Sequence, residues 1–222
     1  VLHQAGFEAP VVSLGSTPTA LATTDRTGVT ALRAGVFAFF DLVMAGLGVC
    51  EPVEIALSVL TTVIGHQSEK GWILCDAGWM ALSRDRGTQD QAVDCGYGLV
   101  CNSHGRILPD LMVSATNQEH GIITRREGSS APLPDLPVGT QLRILPNHAC
   151  ATAAQHAGYH AFGKEYDGTR WIERFSGWRR GARLASHPDV SIALYHSSLL
   201  QIEQMRGHTQ LSGGDEAFVE PL

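Results

Sequence analysis

Residues 55 to 64 read IALSVLTTVI. Six of these ten positions carry a β-branched side chain, which is stiff at χ1 and packs better on a pleated sheet than in a helix. The run is expected to be a strand, and the segments around it follow the same texture. Trp72 to Cys75, Gly98 to Cys101, Leu111 to Ala115 and Gln141 to Leu145 are short and apolar, with Gly, Asn, Asp and Pro between them. Short strands at this spacing predict a β-rich domain over residues 46–180. Ser129 to Pro137 (SSAPLPDLP) reads as a surface loop. Toward the N-terminus, Pro10 to Leu14 and Val29 to Arg33 read as short strands, Ala34-Gly35 as a turn, and Val36 to Phe40 as a further apolar strand ending at Asp41. After Trp178 the chain turns polar, and Glu203 to Leu222 reads as a loosely ordered tail.

Composition narrows the class of protein. The chain has 222 residues, 44% hydrophobic and 17% charged, with a formal net charge of -6. It can bury a core, and no basic run interleaved with aromatics marks it for nucleic acid. The most apolar stretch, Ala34 to Cys50, contains Asp41 at its middle. A charge there would cost roughly 2.5–3.5 kcal/mol at a membrane centre, so buried strand and turn are expected and no membrane span. Five cysteines, an odd number without a C-x-x-C pair, argue against a disulfide framework and for a reducing, cytoplasmic setting. Residues 1–9 show no secretory signal, and Val1 in place of methionine suggests a truncated chain. Lysine occurs only at Lys70 and Lys164.

Two short segments carry candidate chemistry. In Gly15-Ser16-Thr17-Pro18-Thr19 a glycine lets backbone N–H groups approach an anion, and two hydroxyls can add donors. The same sequence also suits an ordinary turn with a helix cap. In Pro146-Asn147-His148-Ala149-Cys150 an extended backbone would turn His148 and Cys150 to one side, where imidazole and thiolate suit zinc and leave positions open for substrate. A hydrogen-bonded histidine beside a buried cysteine would look the same. Glu119-His120, Asp76 and Tyr97 read as bracing or core groups rather than as a catalytic set.

Taken in order, GSTPT, FFD (39–41), DAGWMALSRDRGT (76–88), YGLV (97–100), NQEHG (117–121) and LPVGTQLRILPNHACAT (136–152) resemble the D-serine dehydratase / D-threonine aldolase family, from roughly Ser13 to Trp178. Those enzymes share the alanine-racemase architecture. The resemblance implies a mixed α/β fold: the C-terminal end of a pyridoxal-phosphate-binding α/β barrel over residues 1–45, the β-rich C-terminal domain over 46–180, and an extension over 181–222. It implies that Gly15, Ser16 and Thr17 grip the phosphate of pyridoxal phosphate. It implies that His148 and Cys150 hold a catalytic metal, with zinc favoured because thiolate is soft and manganese as the alternative. His-x-Cys looks like the dehydratase branch, whereas the aldolase branch tends to have His-x-Asp. Asn147 and Ala151-Thr152-Ala153 depart from the dehydratase pattern, and a 3-hydroxyaspartate specificity stays open.

The implied reaction is loss of ammonia from a D-3-hydroxy amino acid such as D-serine or D-threonine, giving a 2-oxo acid. The alternative is aldolase-type cleavage to glycine and an aldehyde. A homodimer is implied for the intact enzyme. The family's Schiff-base lysine has no counterpart here. Lys70 and Lys164 both look like solvated loop residues, so the chain is expected to be a fragment without lyase activity of its own, or a non-catalytic remnant of the β domain.

Overall fold

Strand β3 (Leu57–Gln67) organises the molecule. At eleven residues it is long enough to pair along both edges. Val59–Thr62 pair with β8 (Gln141–Pro146), while Val63–Gln67 pair with β4 (Trp72–Cys75) across a register shift at Val63/Gly65. From β4 the antiparallel ladder continues through β7 (Gly121–Arg125), β6 (Ile107–Thr116) and β5 (Gly98–Asn102) back to β8. The six strands close on themselves, which removes the exposed edges an open sheet would leave. The computed structural model from which this follows describes residues 3–163, 169–174 and 192–194.

Alternation along these strands fills the barrel. Val59, Val63, Ile73, Val100, Leu111, Val113, Ile123, Leu142 and Ile144 are all buried in one cluster. Each such side chain contributes about 1.5–3 kcal/mol on burial. Of the IALSVLTTVI run Leu57–Ile64 lie in β3, after Ile55 and Ala56, and the four other predicted strands lie within these elements. Strand β7 and a flanking extension escaped the sequence reading. In the extension, β9 (Gly158–Phe162) pairs antiparallel with β10 (Thr169–Glu173) and parallel with β11 (Ile192–Leu194), which joins β3 at Leu57–Val59.

The N-terminal residues form a different unit. β1 (Ser13–Gly15) and β2 (Ala31–Arg33) are parallel neighbours joined through helix α1 (Thr17–Ala22). This β-α-β connection beside an antiparallel β-rich body makes the fold mixed α/β, as expected. The expected strand at Val36–Phe40 is not one. Val36–Ala38 form a single 3-10 turn, Phe40 takes a left-handed φ of 50°, and Asp41 caps the short helix α2 (Leu42–Gly46). Aromatic residues suit a strand, but here Phe40 and Leu42 serve a second apolar cluster with Cys50, Ile55, Cys95, Cys101 and Leu145, and the chain turns to put them there. Among the described residues no helix is long and apolar enough to cross a membrane. The expectations for Lys164 and for the tail 203–222 lie outside the described residues.

Candidate metal and phosphate site

The candidate metal pair, His148 and Cys150, sits where β8 leaves the barrel. His148 is extended (φ -132°, ψ 106°) and is the N-cap of helix α4 (Ala149–Ala154), so Cys150 lies in that helix's first turn. The expected extended segment is thereby corrected. Cys150 stands close enough to the imidazole to favour its charged form. Cys150 is exposed, whereas Cys50, Cys75, Cys95 and Cys101 are buried; all five thiols are free. Burial pushes the Cys50 and Cys101 thiols up to about 12, which makes them inert core groups.

The second partner of His148 is Asp85. Its Oδ2 lies 2.6 Å from Nδ1, and the two side chains are 48% and 43% exposed, so the pair is open to a ligand. Cys150 first, and then Asp85, raise the His148 pKa from 6.5 to about 9 against the opposing pull of burial. Asp85 is brought there by helix α3 (Trp79–Leu82), whose cap Gly78 packs on the Asn117 and Gln118 carbonyls, where a Cβ would collide. Ser83 then turns the chain with a φ of 88°, and its Oγ accepts the Asp85 N–H at 3.2 Å.

Asn147 fastens the two loops together. It is buried, and its Nδ2 donates to Thr88 Oγ1 (2.8 Å) and to the Gly96 carbonyl (2.7 Å). Thr88 Oγ1 also accepts the Cys95 N–H, and Arg86 pairs with Asp94 at 2.5 Å. On the other side Thr152 Oγ1 donates to the Leu82 carbonyl at 2.5 Å, and His156 Nε2 is 3.0 Å from the Ala81 carbonyl. The loop carrying Asp85 and the turn carrying His148 are therefore tied together on both sides.

The phosphate candidate is a tight turn. Ser16 has a φ of 72°, and its Oγ lies 2.8 Å from Thr19 Oγ1 and accepts the Thr19 N–H at 3.3 Å. Thr17 is buried, and its Oγ1 accepts the Phe37 N–H. A Cβ on Gly15 would meet only the Arg33 guanidinium, at 3.5 Å. A bare glycine, a hydroxyl-lined turn and an adjacent cation suit an anion. Sequence reading found the turn but not Arg33. Both hydroxyls already have partners in the chain.

The segment 36–41 joins the two sites. Phe37 binds Thr17, Phe39 stacks edge-on against Tyr159 with centroids 5.5 Å apart, and Asp41 accepts the Ala149 N–H. Lys70 is exposed, with its ammonium 4.6 Å over the Trp72 ring, as fits a surface loop. Glu119 and His120 sit in the turn between β6 and β7, and Asp76 accepts Thr61 Oγ1 and the Thr62 N–H as a loop brace. Tyr97 packs against the core. Among the described residues no cluster of three or more His, Cys, Asp and Glu side chains is arranged to hold a metal.

Residues 56–162 match the putative serine dehydratase domain family. The chain is 55% identical over 179 residues to D-threo-3-hydroxyaspartate dehydratase of Delftia sp. (strain HT23), covering 80% of this chain and 47% of that one. It is 35% identical over 109 residues to an uncharacterized protein of Mycobacterium bovis, covering 48% of this chain and 72% of the other. This chain belongs to the D-serine dehydratase / D-threonine aldolase family. Another relative in the family, D-serine dehydratase of Dictyostelium discoideum, is 31% identical over 74% of this chain and 42% of its own. The solved Delftia enzyme superposes with a TM-score of 0.72 at 54% identity, over 80% of this chain and 47% of that chain. D-threo-3-hydroxyaspartate dehydratase has also been solved as a histidine-to-alanine variant and as a cysteine-to-alanine variant in the metal-free form. The chain spans about half the length of the two curated dehydratases it matches.

Proposed function

We propose that this chain supplies the metal site and part of the cofactor site of a pyridoxal-phosphate- and zinc-dependent lyase that removes ammonia from D-3-hydroxy amino acids. The observation that carries the reading is the open Asp85–His148–Cys150 constellation at the barrel rim, in a chain 55% identical to a D-threo-3-hydroxyaspartate dehydratase. His148 and Cys150 would hold zinc, and the turn Gly15-Ser16-Thr17, with Arg33 beside it, would receive the phosphate through backbone N–H groups and charge. Bound there, zinc would supply a Lewis acid for the substrate's β-hydroxyl and pyridoxal phosphate an electron sink for its α-carbon. Within this chain Asn147 ties the two loops, and segment 36–41 holds the metal turn against the phosphate turn. The substrate leaves as a 2-oxo acid and ammonia. Cysteine at the second ligand position favours this over cleavage to glycine and an aldehyde, and the intact enzyme is read as a homodimer.

The test is made on the full-length protein containing this chain. D-threo-3-hydroxyaspartate and D-serine are supplied separately, and ammonia, 2-oxo acid, glycine and aldehyde are quantified. Ammonia and oxo acid in equal amounts, lost in His148→Ala with cofactor absorbance retained, support the reading. Glycine and aldehyde as the products, or loss of cofactor from that variant, contradict it.

A further inference from the structure

We propose that Asp85 is the positioning residue of the metal centre, fixing the His148 ring so that Nε2 is the nitrogen presented to the metal. The inference rests on the reading of His148 and Cys150 as ligands and goes beyond it, since Asp85 makes no contact with metal in this scheme. The geometry is direct: Asp85 Oδ2 lies 2.6 Å from Nδ1. A carboxylate accepting the Nδ1 proton leaves the Nε2 lone pair free, stops the ring from rotating and makes the imidazole a stronger donor.

An exposed aspartate beside a half-buried histidine is, taken alone, a plain surface ion pair of no consequence to a ligand. Three observations favour a positioning role. Asp85 is separated from His148 by 63 positions in sequence, so no local turn brings the pair together. Its backbone is held by the Ser83 hydroxyl after a left-handed residue. Its loop is stapled to the residue preceding His148 through Asn147 and Thr88. The surrounding structure thus determines where the carboxylate stands, as a second sphere of a metal site requires.

The test uses the full-length protein containing this chain, stripped of metal and titrated with zinc alone against a chromophoric chelator, as the unchanged protein, Asp85→Ala, Asp85→Asn and His148→Ala. Thermal melting of the zinc-free proteins serves as the control for folding. Asp85→Ala is expected to weaken zinc binding about 10- to 100-fold. Asp85→Asn should fall between it and the unchanged chain, because the amide oxygen still accepts the Nδ1 proton but carries no charge. Should Asp85→Ala fail to fold, Asp85→Asn carries the comparison by itself. If both Asp85 variants keep the zinc affinity of the unchanged chain while His148→Ala loses it, Asp85 is a surface ion pair and this inference falls while the ligand reading stands. If the unchanged chain binds no zinc, or His148→Ala binds it equally well, the ligand reading fails and takes this inference with it.

Discussion

Asp41 Oδ2 accepts the backbone N–H of Ala149 at 2.8 Å, joining residues 108 positions apart. Its other oxygen caps helix α2 at Met44, 2.9 Å away. One buried carboxylate therefore holds the turn between His148 and Cys150 against the end of the N-terminal unit. Burial raises its pKa above 3.8, while the two N–H donors and the nearby His148 pull it down. Asp41→Ala would strip a helix cap and strand a buried N–H, which together cost about 2–3 kcal/mol. The expected outcome is a lower urea midpoint with an unchanged slope. An unchanged midpoint would mean that the carboxylate does not fasten the turn.

Asn147 is the second fastener. Replacing it by alanine removes donors from Thr88 Oγ1 and the Gly96 carbonyl, a loss of about 1–3 kcal/mol. The variant should open locally first. Amide hydrogen exchange should speed up in residues 85–96 well before the barrel strands respond, and uniform exchange throughout would contradict a local clamp.

The barrel itself answers to its core. Ile144 is fully buried on β8 in the cluster shared with Val59 and Val100. Ile144→Ala should destabilise the fold by about 2–5 kcal/mol, measured by denaturant titration. A cost below about 1 kcal/mol would mean that the ring of strands is not the folding core.

His148 gives a pH signature. In the metal-free chain its pKa is raised from 6.5 to about 9 by Cys150 and Asp85. A raised imidazole adds stability that is complete below pH 6.5 and fades as pH climbs through about 9. The metal-free melting temperature should carry this component, and His148→Ala should lack it. Zinc needs the neutral ring, so binding near neutral pH should release about one proton from His148. That release is read as a dependence of the calorimetric heat on buffer ionisation enthalpy, and buffer-independent heat would remove His148 from the site.

Much of this architecture was legible in the residues. The five apolar runs are strands because β-branched and aromatic side chains on a half-buried pleat outweigh other preferences. His148 and Cys150 were legible as a pair from spacing, though not their backbone, because Ala149–Ala154 is alanine-rich and starts a helix the moment Asp41 caps it from a distance. Val36–Phe40 misled for the complementary reason: its aromatics fit a strand, and only the distant cluster around Cys101 and Leu145 requires the turn at Phe40. Asp85 and Arg33 were invisible as candidate site residues. Each is placed by contacts across the fold, 63 residues in the first case, and no local pattern marks an aspartate as the partner of a particular histidine.

The most direct test is the zinc content of the purified, folded chain beside Cys150→Ser. The account predicts close to one zinc per chain, lost or greatly weakened in the variant while its circular dichroism and melting curve stay those of a folded barrel. A folded chain that holds no zinc, or a variant that retains it in full, would contradict the assignment of His148 and Cys150 as the metal site.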